Sequence, residues 1–141
     1  MTLIDADVWI DFFSGAEPGA TAAEGLLRER RAALSVVSAF ELLCGATRPQ
    51  QIEELESLLK ALDPLPLSIG AVRHAAAHYR RLKEDGLLIG NQDLLLAGAA
   101  IDLGCRVLTR NRGHFSRVSG LEVVSPADLD GEPVAGREEE E

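Results

Sequence analysis

Four carboxylates stand where an ionised side chain is either energetically unfavourable or chemically useful. Asp5 follows the apolar run Thr2–Ile4 at the end of a predicted strand, and Asp7 lies two residues on, where a helix begins. A helix N-cap would account for one of them, not both. Glu41 is surrounded in sequence by Val36, Val37, Ala39, Phe40, Leu42 and Leu43, where an unpaired carboxylate resists desolvation. It needs a cation, supplied by an arginine or by a metal ion. Asp93 opens a further apolar segment, in a first helical turn whose free N–H groups favour negative charge. Separated carboxylates that offer only oxygen suit Mg²⁺ or Mn²⁺, whereas zinc would normally bring His or Cys. An ion held this way would lower the pKa of a bound water and offset developing negative charge.

The elements between these residues must bring them together. "TLID" reads as a strand and "ADVWIDFF" as the helix after it; residues 17–31 form a second helix with a basic end. "ALSVV" is a second strand, and Ser38 begins the helix "AFELLCGA", which Gly45 ends. Pro49 opens an amphipathic helix with Ile52, Leu55, Leu58, Leu59 and Leu62 on one stripe. "DPLPLS" offers a short strand limited by its prolines, and a helix runs from Ile69 to Glu84. "IGNQDLLLAGAAIDLG" is a helix capped by Asn91, apolar nearly all round and therefore buried. "CRVLT" and "LEVV" are the last strands, joined by a basic loop with a helical turn. Strands alternating with helices predict an α/β fold of three layers, with five short, mainly parallel strands between helices. The C-terminal edge of such a sheet is where ligands and catalytic groups gather.

The chain has 141 residues, a length for one domain, and its 46% apolar and 26% charged composition excludes disordered and fibrous classes. With only 4% aromatics, Leu, Val, Ile and Ala must fill the core. No apolar run is long enough to span a bilayer and no basic-then-apolar leader opens the chain, so the expectation is a cytoplasmic protein. Cys44 and Cys105, far apart and without a C-x-x-C spacing, read as reduced, buried thiols. The net charge of −9 argues against a polyanionic partner until it is located: residues 128–141 hold seven acids against Arg137, leaving −3 for residues 1–127. The expected organisation is one domain over 1–127 and an acidic, disordered tail over 128–141. Between Cys105 and Leu121 lie Arg106, Arg110, Arg112 and Arg117 and no acid, a basic lip on an acidic protein. His74 and His78 lack the glutamate of H-E-x-x-H, and there is no P-loop or G-x-S-x-G.

In order along residues 2–125, "LIDADVWIDFF", "SVVSAFELLCGA" and "IGNQDLLLAGAAIDLGCRVLTRNRGHFSRVSGLEVV" resemble the successive blocks of PIN-domain ribonucleases, most closely VapC-type toxins of toxin–antitoxin pairs. The resemblance implies a PIN-like fold and Mg²⁺- or Mn²⁺-dependent endoribonuclease activity. Asp5, Glu41 and Asp93 would be catalytic and hold the metal, with Asp7 and Asn111 able to reach it indirectly. Many relatives have Ser, Thr or Asn at Asp7 and an acid where this chain has Asn111 and His114, while Thr109 and Asn111 match the usual polar pair after the strand. Arg110, Arg112, His114 and Arg117 are candidates for RNA contact. Also implied are a homodimer and a VapB-type antitoxin in an apolar groove; the aromatic-rich Trp9–Phe13 and the 52–62 stripe are either core or that surface. Two other readings stand beside this one. "LIDADVW" also resembles the D-x-D motif of haloacid-dehalogenase-like phosphatases, with Asp5 as nucleophile, and a non-catalytic PIN-like binding module is the third.

Overall fold

The computed structural model describes residues 1–129. The elements run β1 (Thr2–Ile4), α1 (Ala6–Ser14), α2 (Gly19–Arg28), β2 (Ala32–Ala33), α3 (Val36–Gly45), α4 (Pro49–Leu62), α5 (Ile69–Glu84) and α6 (Asn91–Leu103). They finish with β3 (Arg106–Leu108), α7 (Arg112–Phe115), β4 (Val123–Val124) and α8 (Pro126–Leu129). The strands are parallel in the order β2-β1-β3-β4, with Leu3 opposite both Ala33 and Val107, and Leu108 opposite Val124.

Alternation along the strands builds the three layers. Leu3 and Val107 face one way, into a core with Ala71, Ala75, Leu96, Ala97 and Phe115 from α5, α6 and α7. Ile4 and Leu108 face the other, against Trp9, Ala23, Leu26, Leu42, Leu55 and Leu58 from α1 to α4. The second and third strands in sequence flank β1 on opposite sides, so the strand order reverses beside it. That reversal leaves a crevice at the C-terminal ends of β1 and β3.

The expected sheet of five strands is corrected to four. Leu65 of "DPLPLS" makes a single parallel bridge to Ser35, through Leu65 N to Leu34 O at 2.8 Å and Val36 N to Leu65 O at 3.0 Å. Pro64 and Pro66 on either side have no N–H with which to extend the ladder. The second strand is shorter than "ALSVV" because the Ser35 hydroxyl accepts the Val37 amide at 3.1 Å and starts α3 there, ahead of Ser38. Gly90, rather than Asn91, occupies the N-cap of α6. That helix is buried as its composition predicts, and it lies close on α5 because Gly98 has no side chain: a Cβ there would collide with the Ala71 carbonyl oxygen. Both cysteines are free, but Cys44 is exposed and Cys105 only partly covered. In α4 only Leu55 and Leu58 are fully buried, and Ile52 faces solvent. The turn α8 crosses the expected boundary at residue 127, and the rest of the acidic segment lies outside the described residues.

Candidate active site

Asp5 leaves β1 at the crevice. Its Oδ1 accepts the Ala6 amide at 2.8 Å, which makes Asp5, not Asp7, the N-cap of α1. Its Oδ2 accepts the Thr109 hydroxyl at 2.8 Å, joining the ends of β1 and β3. Because the Thr109 oxygen itself accepts the Asn111 amide at 2.9 Å, its single hydrogen is committed to the carboxylates. Asp7, in the first turn of α1, turns Oδ2 to the Arg110 amide at 3.0 Å and to the Thr109 hydroxyl at 3.4 Å. Its Oδ1 is buried and has no hydrogen-bond partner among the described residues.

The other two acids come from the helices that flank the crevice. Asp93 lies in the first turn of α6, where the unsatisfied N–H groups face it. Its Oδ2 is 3.2 Å from His114 Nδ1, which is also 2.8 Å from Asn111 Nδ2. The histidine that follows β3 therefore meets an acid rather than supplying one. Glu41, half-buried in α3, forms no hydrogen bond or ion pair with any described residue, arginines included.

Electrostatics bind these four groups together. Asp5 is only 6% exposed, and burial first, then the Asp7 charge, push its pKa up to about 7; Asp93 adds to this and the Thr109 hydrogen bond opposes it. Burial also raises Asp7, against the Arg110 amide and guanidinium. Burial raises Glu41, and Asp93 and Asp7 push it further. The four acids that the sequence singles out thus sense one another across a single crevice.

As they stand, no three His, Cys, Asp or Glu side chains among the described residues are arranged to hold a metal ion. The donor chemistry nevertheless fits a hard divalent cation. The donors are carboxylate oxygens in negative surplus, one of them is buried and unpartnered, and the half-exposed Glu41 is not tied down.

The basic residues are each engaged. Arg110 Nε is 3.2 Å from Asp11 Oδ2 and 3.9 Å from Asp7 Oδ2. Arg112 pairs with Asp128 at 3.0 Å, and Arg117 donates to the Leu87 and Leu88 carbonyls ahead of α6. Asp11, buried and paired with Arg110, is the site residue that the sequence reading misses. The signal is slight: it lies four residues after Asp7 in a helix otherwise crowded with apolar side chains. Beside this crevice α1, α3 and α4 enclose a groove of about 300 Å³ lined by Ile10, Phe13, Leu42, Ala46 and Leu55, with Glu41 also on its wall.

Comparison with known proteins agrees with this architecture. The PIN domain pattern matches residues 2–121. Ribonuclease VapC1 of Methanocaldococcus jannaschii is 27% identical over 123 residues, covering 86% of this chain and 85% of that protein. Ribonuclease VapC1 of Rickettsia felis is 32% identical over 110 residues, covering 71% and 80%. Among solved structures, DNA-bound VapBC from Salmonella typhimurium superposes with a TM-score of 0.78 at 22% identity, covering 89% of this chain and 97% of that one. A PIN fold leaves the phosphatase reading of Asp5 without its scaffold. On the match over residues 2–121 and its VapC ribonuclease relatives, the chain belongs to the PIN-domain family, among the VapC-type members.

Proposed function

We propose that this protein is an Mg²⁺- or Mn²⁺-dependent endoribonuclease and the toxin of a toxin–antitoxin pair. The observation that carries the reading is the gathering of Asp5, Asp7, Glu41 and Asp93 at the sheet's C-terminal edge, where burial raises the pKa of the first three. Such a cluster is unfavourable in the folded protein alone and becomes favourable with a divalent cation. The ribonuclease relatives support the substrate class. An intact set of acids separates this reading from a non-catalytic binding module.

Asp5, Glu41 and Asp93 hold the ion, and Asp7 and Asn111 reach it through water. When bound, the ion activates a water and offsets charge developing on the phosphodiester. Asp93 or Asp5 accepts a hydrogen bond from the attacking water and sets its direction. His114, against Asp93, lies where it can donate to a phosphate oxygen. Arg112 and Arg117 bind the RNA backbone from the loop beside the crevice. The exposed ion pair of Arg112 with Asp128 is weak enough to yield to a phosphate.

The groove beside Glu41, continued by the exposed Ile10 and Phe40, takes the apolar face of a VapB-type antitoxin segment. The related Salmonella structure is itself a VapBC assembly. A second copy of the chain completes a homodimer. No helix among the described residues is long and apolar enough to cross a membrane, and a cytoplasmic location suits an enzyme whose substrate is RNA.

The test is cleavage of single-stranded or loop RNA by purified protein in Mg²⁺, Mn²⁺ or EDTA. Activity restricted to the metal-containing reactions is expected. Undiminished cleavage in EDTA refutes the metal mechanism, and no cleavage under any condition refutes the enzyme reading.

A further inference from the structure

Asp11 is a buried carboxylate with no part in the reaction as described. It sits in the second turn of α1, against the start of α2, in a space that exists because Gly19 has no side chain: a Cβ there would run into the Asp11 carboxylate. Its partner is the Arg110 guanidinium, with Nε 3.2 Å from Asp11 Oδ2. The same Nε is 3.9 Å from Asp7 Oδ2, while the backbone N–H of Arg110 bonds that oxygen at 3.0 Å. Arg110 thus bonds Asp7 through its backbone amide, while its guanidinium, in ion-pair range of both acids, lies closer to Asp11. The Asp11 side chain is 9% exposed, whereas that of Arg110 is 54% exposed, so the carboxylate is the fixed member and the arginine the movable one.

An unanchored guanidinium so close to Asp7 would complete a direct, charge-assisted pair with it. It would then compete with any cation for the Asp7 carboxylate and lower the negative potential of the whole crevice. A divalent ion would have to displace it.

We propose that Asp11 is a positioning residue that holds the Arg110 guanidinium off Asp7, keeping the carboxylate cluster open to a divalent cation. The inference rests on the reading of that cluster as the metal site. It gives Arg110 a place in the site's electrostatics rather than on the RNA.

The experiment measures Mn²⁺ binding by electron paramagnetic resonance to purified, metal-free protein, with no RNA present. Wild type is compared with Asp11→Asn, Arg110→Gln and the double variant, and a thermal melt of each verifies folding. Asp11→Asn should weaken Mn²⁺ binding roughly 10-fold, because the freed guanidinium competes with the ion for Asp7. Arg110→Gln in that background should restore it to within about threefold of wild type, because the competing charge is gone. Arg110→Gln alone should bind at least as tightly as wild type, and this arm decides the matter if Asp11→Asn does not fold. Wild-type affinity in Asp11→Asn, no restoration in the double variant, or a clear loss in Arg110→Gln overturns the inference while leaving the metal site intact. Failure of wild type itself to bind Mn²⁺ removes both the metal-site reading and this inference.

Discussion

Replacing Asp5 by Asn should make the metal-free protein more stable at the same time as it removes activity. The carboxylate is 6% exposed and its pKa rises from 3.8 to about 7, chiefly through burial and then through Asp7. A folded-state pKa above the unfolded one means that the native protein binds the proton more tightly. Stability therefore falls as pH rises from about 4, and the full penalty is present above pH 7. The gap between 3.8 and about 7 corresponds to about 4 kcal/mol. Asparagine has nearly the same shape and still accepts the Ala6 amide, but it cannot take the Thr109 hydrogen as well, a loss of about 1 kcal/mol. The net gain is about 3 kcal/mol, or roughly 10 °C in Tm for a chain of this size. Melting curves in EDTA between pH 4 and pH 8 should show the Asn variant no more stable than wild type at pH 4 and drawing ahead as pH rises, with the full separation reached by about pH 7. Saturating Mn²⁺ should reverse the order by raising wild type alone. A lower Tm for Asp5→Asn at pH 8 would refute the claim that this charge is held against its own solvation.

Glu41→Gln and Asp93→Asn should each abolish most RNA cleavage with little change in the melting curve; wild-type rates in both would show that the metal site has been misplaced. Thr109→Val should lower stability by roughly 1.5–3 kcal/mol, because a buried carboxylate loses a donor, and should move the acid limb of the pH–rate profile upward, since the Thr109 bond lowers the Asp5 pKa; an unmoved limb would deny the coupling. Gly98→Ala should destabilise by roughly 1–3 kcal/mol in denaturant titration, because the new methyl meets the Ala71 carbonyl. A neutral result would mean that α5 and α6 are less closely seated than they stand.

Pro49 and the apolar stripe after it place α4, and a run from about Ile69 to the stop at Asp85–Gly86 places α5, because these signals are local. The convergence of Asp5, Glu41 and Asp93 was also legible, since each stands at a strand end or on a helix that parallel topology directs to one edge. What escaped depends on contacts between distant segments. "ALSVV" has the side chains of a longer strand, yet a cap at Ser35 turns its last two residues into helix. "DPLPLS" is extended as read, but its two prolines confine it to one bridge. Asp11 carries little signal within its own helix because its partner, Arg110, belongs to a loop far along the chain.

The repulsion in the crevice has to be supported by the structure around it, and the fold supplies that support from neutral groups. The α1 and α6 N-termini face Asp5, Asp7 and Asp93 with unsatisfied N–H groups, and Thr109 and the Arg110 amide donate into the same space. The nearest full positive charge, Arg110, is drawn toward Asp11. His114 meets Asp93, and Asp7 adds a further carboxylate whose charge acts on Asp5. Dipoles can orient carboxylates without cancelling their charge, whereas a salt bridge would both orient and cancel it. The cation proposed for this crevice is favoured by the first kind of support and opposed by the second, which here lies closer to Asp11 than to Asp7.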